Sequence, residues 1–283
     1  MELRRLEEQE HQKTRKLWEE VFSDDTRAFL DYYYFIKTKE NEIWVIEEDG
    51  EIQSMLQLNP YQLQVAEHPF LCRYIIAVAT RAQYRSRGYM SSLLRKAMQE
   101  MYGKKEPFTF LMPAAEAIYT PYDFRFVYSQ RQAVFEKKAE TELIEEEDAT
   151  MFQAEELAAF AKERLFGTAR VYAVRDAHYY QTRVLEQQSE NGGIRMLKKD
   201  GKLVGIYCYA KEETCEVLEP LILPGYETVF WDSISGLSEK PVKVLACPEV
   251  LEPCARSVER KPMIMVRTVS YTHLRAHETL ANL

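Results

Sequence analysis

Residues Arg73-Tyr-Ile-Ile-Ala-Val-Ala-Thr80 run without a break into Arg81-Ala-Gln-Tyr-Arg85-Ser-Arg87-Gly88-Tyr89-Met90, and the reading of this junction decides the fold. The first segment is β-branched and almost wholly apolar, the composition of a central strand buried on both faces. Beyond it, Met90, Leu93, Leu94, Ala97, Met98 and Met101 fall at the three-and-four spacing of a helix with one buried stripe, and Gly103 stands where a C-terminal cap would stop it. A strand, a short turn with Arg and Gly, and a helix N-terminus together make an anion site. The first N–H groups of the helix have no partner within it, its dipole favours negative charge, and Gly88 lets a phosphate approach the chain closely. Arg85 and Arg87 add charge-assisted hydrogen bonds that suit a pyrophosphate better than a single carboxylate. Without its flanks, the same Arg-rich turn reads as solvated surface.

Toward the N-terminus, a helical pattern runs from Glu7 through Leu17, Trp18 and Val21 to Phe22, and an aromatic-rich one covers Asp25 to Phe35, with capping residues Ser23-Asp24-Asp25 between them. The period then changes to that of strands. Residues 42–47 and 51–58 flank Glu48-Asp49-Gly50, a hairpin signal, and a further extended stretch lies around Tyr61 to Val65. Downstream come a strand at Phe108–Met112, a short helix from Ala114 to Tyr119 and a strand at Phe124–Tyr128. The charged stretch around Glu136–Asp148 reads as a solvated connection between domains. Past it, residues 194–207 repeat the strand, Asp-Gly, strand grammar of residues 43–56, again preceded by helical segments (Ala154 to Leu165 and Ala177 to Leu185). The expected class is α/β (α+β), with a mixed central sheet flanked by helices in each half.

The chain has 283 residues, enough for two domains, and its composition is that of an ordinary globular protein. It lacks an apolar run long enough to span a bilayer and a signal-peptide core, so a cytoplasmic protein without a membrane partner is expected. Lys and Arg number 37 against 45 acidic residues, a net charge of −8. That balance argues against a general affinity for nucleic acid and suits cationic substrates. Five scattered cysteines, none in a Cys-x-x-Cys arrangement, indicate neither a disulfide framework nor a zinc site. Oligomeric state is not fixed by the sequence, and self-association is compatible with it.

The junction resembles the signature of the GNAT acyltransferases: Arg or Gln, two residues, Gly, one residue, then Gly or Ala, after a strand and at the head of a helix. Arg85-Ser86-Arg87-Gly88-Tyr89-Met90 fits it except at Met90, where a larger residue stands. The resemblance implies tandem GNAT folds and acetyl-CoA as co-substrate. It also implies a pyrophosphate held by residues 85–90 and a pantetheine arm paired with backbone groups of Val78 and Thr80. Ile118-Tyr119-Thr-Pro-Tyr-Asp123-Phe124 matches the family's Tyr, three residues, Gly-Phe pattern, with Asp123 in place of Gly. Tyr119 is thus the candidate general acid that protonates the departing thiolate, because an amine attacking a thioester expels sulfur as an anion. A core tyrosine is the competing reading, and Tyr122 is a close neighbour. Glu116 is a lesser candidate for a base acting through water. Phe22 and Asp24, with the Tyr32 to Phe35 run, are candidates to line a substrate cleft, since a cationic amine needs a carboxylate and aromatic walls; the run equally reads as the apolar face of a helix.

Residues 18–24 (Trp-Glu-Glu-Val-Phe-Ser-Asp), 54–61 (Ser-Met-Leu-Gln-Leu-Asn-Pro-Tyr), 77–80 (Ala-Val-Ala-Thr) and 261–267 (Lys-Pro-Met-Ile-Met-Val-Arg) resemble one branch of the superfamily, the enhanced-intracellular-survival (Eis-like) acetyltransferases. That branch implies a catalytic GNAT domain over residues 1–135 and a degenerate second GNAT-like domain over 136–268, followed by a sterol-carrier-like domain whose terminal carboxylate accepts the amine proton. The tyrosine used as acid by the founding Eis-type enzymes aligns with Phe124 here, which leaves Tyr119 for that role. Residues 269–279 resemble an in-frame translation of a sequencing-library adapter. Residues 269–283 are therefore expected to be a non-native tail on a C-terminally truncated chain, and the His273/His277 pair within it is discounted, so no metal site is expected. The implied activity is N-acetylation of a primary amine on a small polycationic molecule, aminoglycoside-like or a polyamine. Two alternatives are a catalytically weak acyl-CoA-binding regulatory protein, suggested by Met90, Asp123 and Phe124, and a protein-lysine acetyltransferase.

Overall fold

The computed structural model describes residues 1–138, 145–211 and 214–272. Among the described residues two compact units emerge: residues 1–128 with 170–174 and 263–272, and residues 129–169 with 175–262. The passage at 128/129 falls inside the strand Arg125–Phe135, whose last residue is the one at which the sequence reading ends the first domain.

In the first unit the chain forms β1 (Glu2–Arg5), a 3-10 turn over Glu8–Thr14, α1 (Arg15–Val21) and α2 (Arg27–Phe35), capped by Thr26, whose hydroxyl accepts the Phe29 N–H. Then come β2 (Glu42–Glu48), β3 (Glu51–Val65), β4 (His68–Thr80), α3 (Tyr89–Gly103), β5 (Phe108–Leu111), α4 (Glu116–Tyr119) and the first residues of β6 (Arg125–Phe135). Strands β1 to β4 pair antiparallel in sequence order, and β5 joins β4 in parallel. The Asp-Gly hairpin is as the sequence predicts: Asp49 and Gly50 take φ of 56° and 77°, the left-handed pair that a tight turn between twisted strands requires. Leu93, Leu94, Ala97 and Met101 of α3 are buried against Trp44, Ile46, Leu56, Leu58 and Ile75 of the sheet. From Ile75 to Thr80, β4 alternates buried with half-buried positions. Ile75 lies opposite Leu58 and Ala79 opposite Met55, which are on opposite faces of the sheet, so each face of the strand carries a buried residue, as the sequence leads one to expect.

The second unit contains β7 (Glu145–Asp148), α5 (Ala154–Leu165), α6 (Ala177–Ser189), β9 (Gly193–Lys199), β10 (Lys202–Lys211), β11 (Cys215–Ile222), α7 (Glu227–Ser235), β12 (Val242–Leu245) and part of β13 (Ser257–Thr268). Between α5 and α6 the short β8 (Val171–Ala173) pairs with β3 within the first unit. Here too an Asp-Gly hairpin, Asp200-Gly201 with φ of 51° and 69°, joins two antiparallel strands, a third pairs antiparallel with the second, and β12 joins β11 in parallel. Each unit is a mixed sheet with flanking helices, which is the expected α/β class. The charged run is not all connection: Glu145–Asp148 forms an edge strand on β9, tied by Arg195 to Glu146 and Asp148 and by Lys198 to Glu147. Cross-strand charge pairs hold it in place of the apolar alternation that marks other strands.

Met265–Thr268 of β13 pair antiparallel with β5, and the N–H groups of both Val269 and Ser270 donate to the Pro107 carbonyl. His273 and His277 lie outside the described residues. Among the described residues, no helix is long and apolar enough to cross a membrane, and all five cysteines are unpaired.

Candidate active site

The site is built where β4 and β5 part. Their parallel pairing covers Arg73 to Ile75 against Thr109 to Leu111 and then stops. Among the described residues, the β5-side edge of β4 has no strand partner from Ile76 to Thr80, which leaves backbone groups of Val78 and the Thr80 N–H unpaired by a strand on one edge; the Thr80 carbonyl accepts from Arg85. The departure has a local cause. Met55 faces Ala79 while Gln57 faces Ile76, so Ala77 and Val78 together oppose Leu56 as a β-bulge. Ala77 takes a φ of 52°, a left-handed conformation for a residue with a side chain.

Past Thr80, a 3-10 turn over Ala82–Tyr84 leads to Arg85, then Ser86 at φ 62° and Gly88 at φ 81°, the residue before α3. A Cβ on Gly88 would meet nothing within 4 Å, so glycine is required there by backbone conformation and leaves open space in front of the helix. No side chain caps α3, and the Gly88 carbonyl already accepts the Ser92 N–H. Arg85 and Arg87 are exposed and make no ion pair among the described residues. Arg85 Nε donates to the Thr80 carbonyl at 3.2 Å, and the Arg87 guanidinium lies 4.7 Å from the centre of the Tyr84 ring. Tyr89 is buried and Met90 half-buried against the apolar cluster under α3. Amides without a side-chain cap, two guanidinium groups with no carboxylate partner among the described residues and open space at Gly88 make a candidate anion site.

Tyr119 ends α4, only 8% exposed, with its ring 5.9 Å from Phe124 in an edge-on arrangement. Burial pushes its hydroxyl up to about 12 from an ordinary 10.0, so it holds its proton at neutral pH. Asp123 stands at φ 64°, in the conformation for which the family pattern has Gly; Asp tolerates that region better than most residues. Phe124 is fully buried, Tyr122 half-buried, and Glu116 exposed in the first turn of α4.

The substrate-cleft candidates separate. Tyr32, Tyr33 and Tyr34 are buried, Tyr33 in a network with Gln57 and Asn41, and Tyr34 against Thr14; Phe35 is exposed. Phe22 packs edge-on against Trp18 at 5.5 Å and lines an open cavity of about 590 Å³ between α1 and α2, with Glu19, Asp25 and Asp31. Asp24 is exposed and outside that lining. Its neighbour Asp25, which accepts the Trp18 indole N–H at 2.7 Å, is the carboxylate at the cavity.

Sequence reasoning missed the bulge at Ala77 and the two carboxylates that grip the loop, Glu48 and Glu51. Tyr89 donates its hydroxyl hydrogen bond to Glu48, and Arg81 donates to Glu51 at 2.5 Å. Neither carboxylate belongs to a recognisable motif; only the hairpin signal at residues 48–50 pointed toward them. In the second unit, Ile206 faces Leu221 while Cys208 faces Leu218, so β11 carries a matching bulge with Glu219 at φ 55°. There the Glu219 carboxylate accepts from Tyr179 at 2.8 Å and pairs with Arg175 and Arg183 at 3.3 and 3.4 Å. No side chain caps α7 either, but Glu227 lies in its first turn and accepts the Gly225 N–H, which places negative charge where the first unit offers an anion cradle.

The strand pair that parts, the bulge and the uncapped helix after an Arg-Gly loop make a candidate site for an anionic ligand in the first unit. Residues 2–127 match the family model for the acetyltransferase (GNAT) domain. Those residues are thus a GNAT acetyltransferase domain, whose activity class is N-acetyltransferase; GNAT acetyltransferases take their acetyl group from acetyl-CoA. Similar solved structures include a conserved protein of unknown function from Enterococcus faecalis V583, at TM-score 0.79 and 15% identity, covering 96% of this chain and 73% of that one. A GCN5-related N-acetyltransferase from Kribbella flavida is similar at TM-score 0.74 and 14% identity, covering 95% and 72%. Eis1 from Mycobacterium abscessus is similar at TM-score 0.66 and 12% identity, covering 95% and 74%. No curated protein sequence matches the chain.

Proposed function

We propose that this chain is an Eis-like enzyme that transfers the acetyl group of acetyl-CoA to a primary amine of a small polycationic acceptor, aminoglycoside-like or a polyamine. The observation that carries the reading is the uncapped start of α3 behind a left-handed Gly88, flanked by Arg85 and Arg87, which have no acidic partner among the described residues. In this account residues 85–90 hold the diphosphate, and backbone groups of Val78 and Thr80 hold the pantetheine arm along the free edge of β4. The neutral acceptor nitrogen attacks the thioester carbonyl carbon and gives up one proton to solvent water as the amide forms. As the carbon–sulfur bond breaks, the Tyr119 hydroxyl donates its proton to the departing sulfur and is reprotonated from solvent, and burial keeps that proton in place until it is needed.

The acceptor class is supported by the net charge of −8 and by the cavity beside Phe22. Of its carboxylates, Glu19 and Asp31 are engaged by Arg15, whereas among the described residues the Asp25 side chain takes only the Trp18 indole donor, which leaves it capacity for a cationic group. Its chain neighbour Asp24 is exposed and outside the lining. The proposed organisation is a catalytic GNAT domain over 1–135 followed by a degenerate second one over 136–268, acting in the cytoplasm. The test is thiol release from acetyl-CoA across a panel of polyamines and aminoglycosides. Release with one of them supports the reading, and tight acetyl-CoA binding with silence across the panel favours the non-catalytic alternative.

A further inference from the structure

The loop from Arg81 to Tyr89 must hold its shape without a helix cap, because no side chain caps α3. Two contacts from one hairpin supply the hold. At the start of the loop, Arg81 is 7% exposed; its N–H donates to the Gln53 carbonyl at 3.0 Å, and its guanidinium donates to Glu51 at 2.5 Å and pairs with Glu20 at 3.2 Å. At the end of the loop, Tyr89 donates its hydroxyl hydrogen bond to Glu48. The Tyr89 ring stacks on Tyr84 with centroids 6.0 Å apart and planes 29° apart, and Arg87 lies over Tyr84. Contacts therefore run from Glu48 through Tyr89 and Tyr84 to Arg87, one of the two cations at the cradle. Glu48 and Glu51 flank the Asp49-Gly50 turn, whose left-handed pair fixes their spacing.

We propose that the β2–β3 hairpin is the positioning element of the acyl-CoA loop, with Glu48 and Glu51 as its positioning residues. The inference rests on reading residues 85–90 as the diphosphate site. A carboxylate close to a diphosphate opposes binding electrostatically, so Glu48 acts here as a hydrogen-bond acceptor that fixes Tyr89, and its charge is dispensable. The glutamine variant separates these two properties.

The experiment is calorimetric titration of the full chain with acetyl-CoA, for wild type, Glu48→Ala, Tyr89→Phe, the double variant and Glu48→Gln. Glu48→Ala and Tyr89→Phe are each expected to weaken binding about fivefold, the scale of one hydrogen bond. The double variant is expected to be no weaker than either single one, and Glu48→Gln to bind at least as tightly as wild type. Single variants that bind as wild type does, or a double variant in which the two losses multiply, would overturn the proposal. If Glu48→Ala does not fold, Tyr89→Phe against Glu48→Gln carries the test, since the first removes only a hydroxyl and the second keeps the acceptor. Failure of wild type to bind acetyl-CoA at all would overturn the diphosphate reading itself.

Discussion

Tyr119 is a phenol held neutral by burial, and its behaviour with pH follows from that alone. Its hydroxyl is raised from 10.0 to about 12 in the folded chain. A group whose folded pKa is raised contributes stability that is fully present below pH 10 and is lost as pH rises through about 12. Tyr119→Phe is expected to flatten that part of the stability-versus-pH curve, measured by denaturant midpoints between pH 8 and pH 11, and to lower kcat by about a hundredfold, the lower end for general acid catalysis. Gly88→Ala places a side chain at φ 81° with nothing to clash against, so its cost is conformational, about 1–2 kcal/mol in chemical denaturation, with weaker acetyl-CoA binding beside it. The sequence pattern left Asp123 as a departure from the family's Gly. The structure supplies the reason it is tolerated, because the position needs a left-handed residue and Asp is among the few with side chains that adopt one.

Elements show where sequence reading reaches and where it stops. The Asp49-Gly50 and Asp200-Gly201 hairpins were legible because their turn chemistry is local, and α3 was legible because its stripe of Leu93, Leu94, Ala97 and Met101 repeats at the helical period. The bulges at Ala77 and Glu219 were not, because neither position carries the glycine that advertises a left-handed residue in a strand. Strand β7 was read as connection because its Glu145–Glu-Glu–Asp148 composition has no apolar alternation, and the strand is held by partners some fifty residues away, Arg195 and Lys198. At Ala77 the strain is testable: Ala77→Gly is expected to stabilise the fold by about 1 kcal/mol and Ala77→Val to destabilise it by about 2 kcal/mol or more, since a β-branched residue at φ 52° is far from its allowed regions. Thermal denaturation of the two variants against wild type reads both signs. Equal melting temperatures for Gly and Val would show that the left-handed conformation is absent.

At the scale of the whole molecule, the repeat first suggested by two hairpins extends to the device that opens each sheet. In both units a bulge residue follows the last parallel pair by the same offset, Ala77 after Ile75 and Glu219 after Val217. Among the described residues, only the first unit follows its bulge with a helix whose first turn carries no carboxylate. In the second, Glu227 occupies the first turn of α7, and Glu219 is committed to Arg175 and Arg183. Titration calorimetry is accordingly expected to give one acetyl-CoA per chain, and two equivalent sites would contradict the account of the second unit as degenerate. The central claim is narrower and is tested most directly by a single assay: thiol release from acetyl-CoA with a polyamine or aminoglycoside acceptor, run on wild type and Tyr119→Phe at matched acetyl-CoA saturation. The account predicts acceptor-dependent release by wild type and a loss of about a hundredfold in the variant. Equal release by both would contradict it.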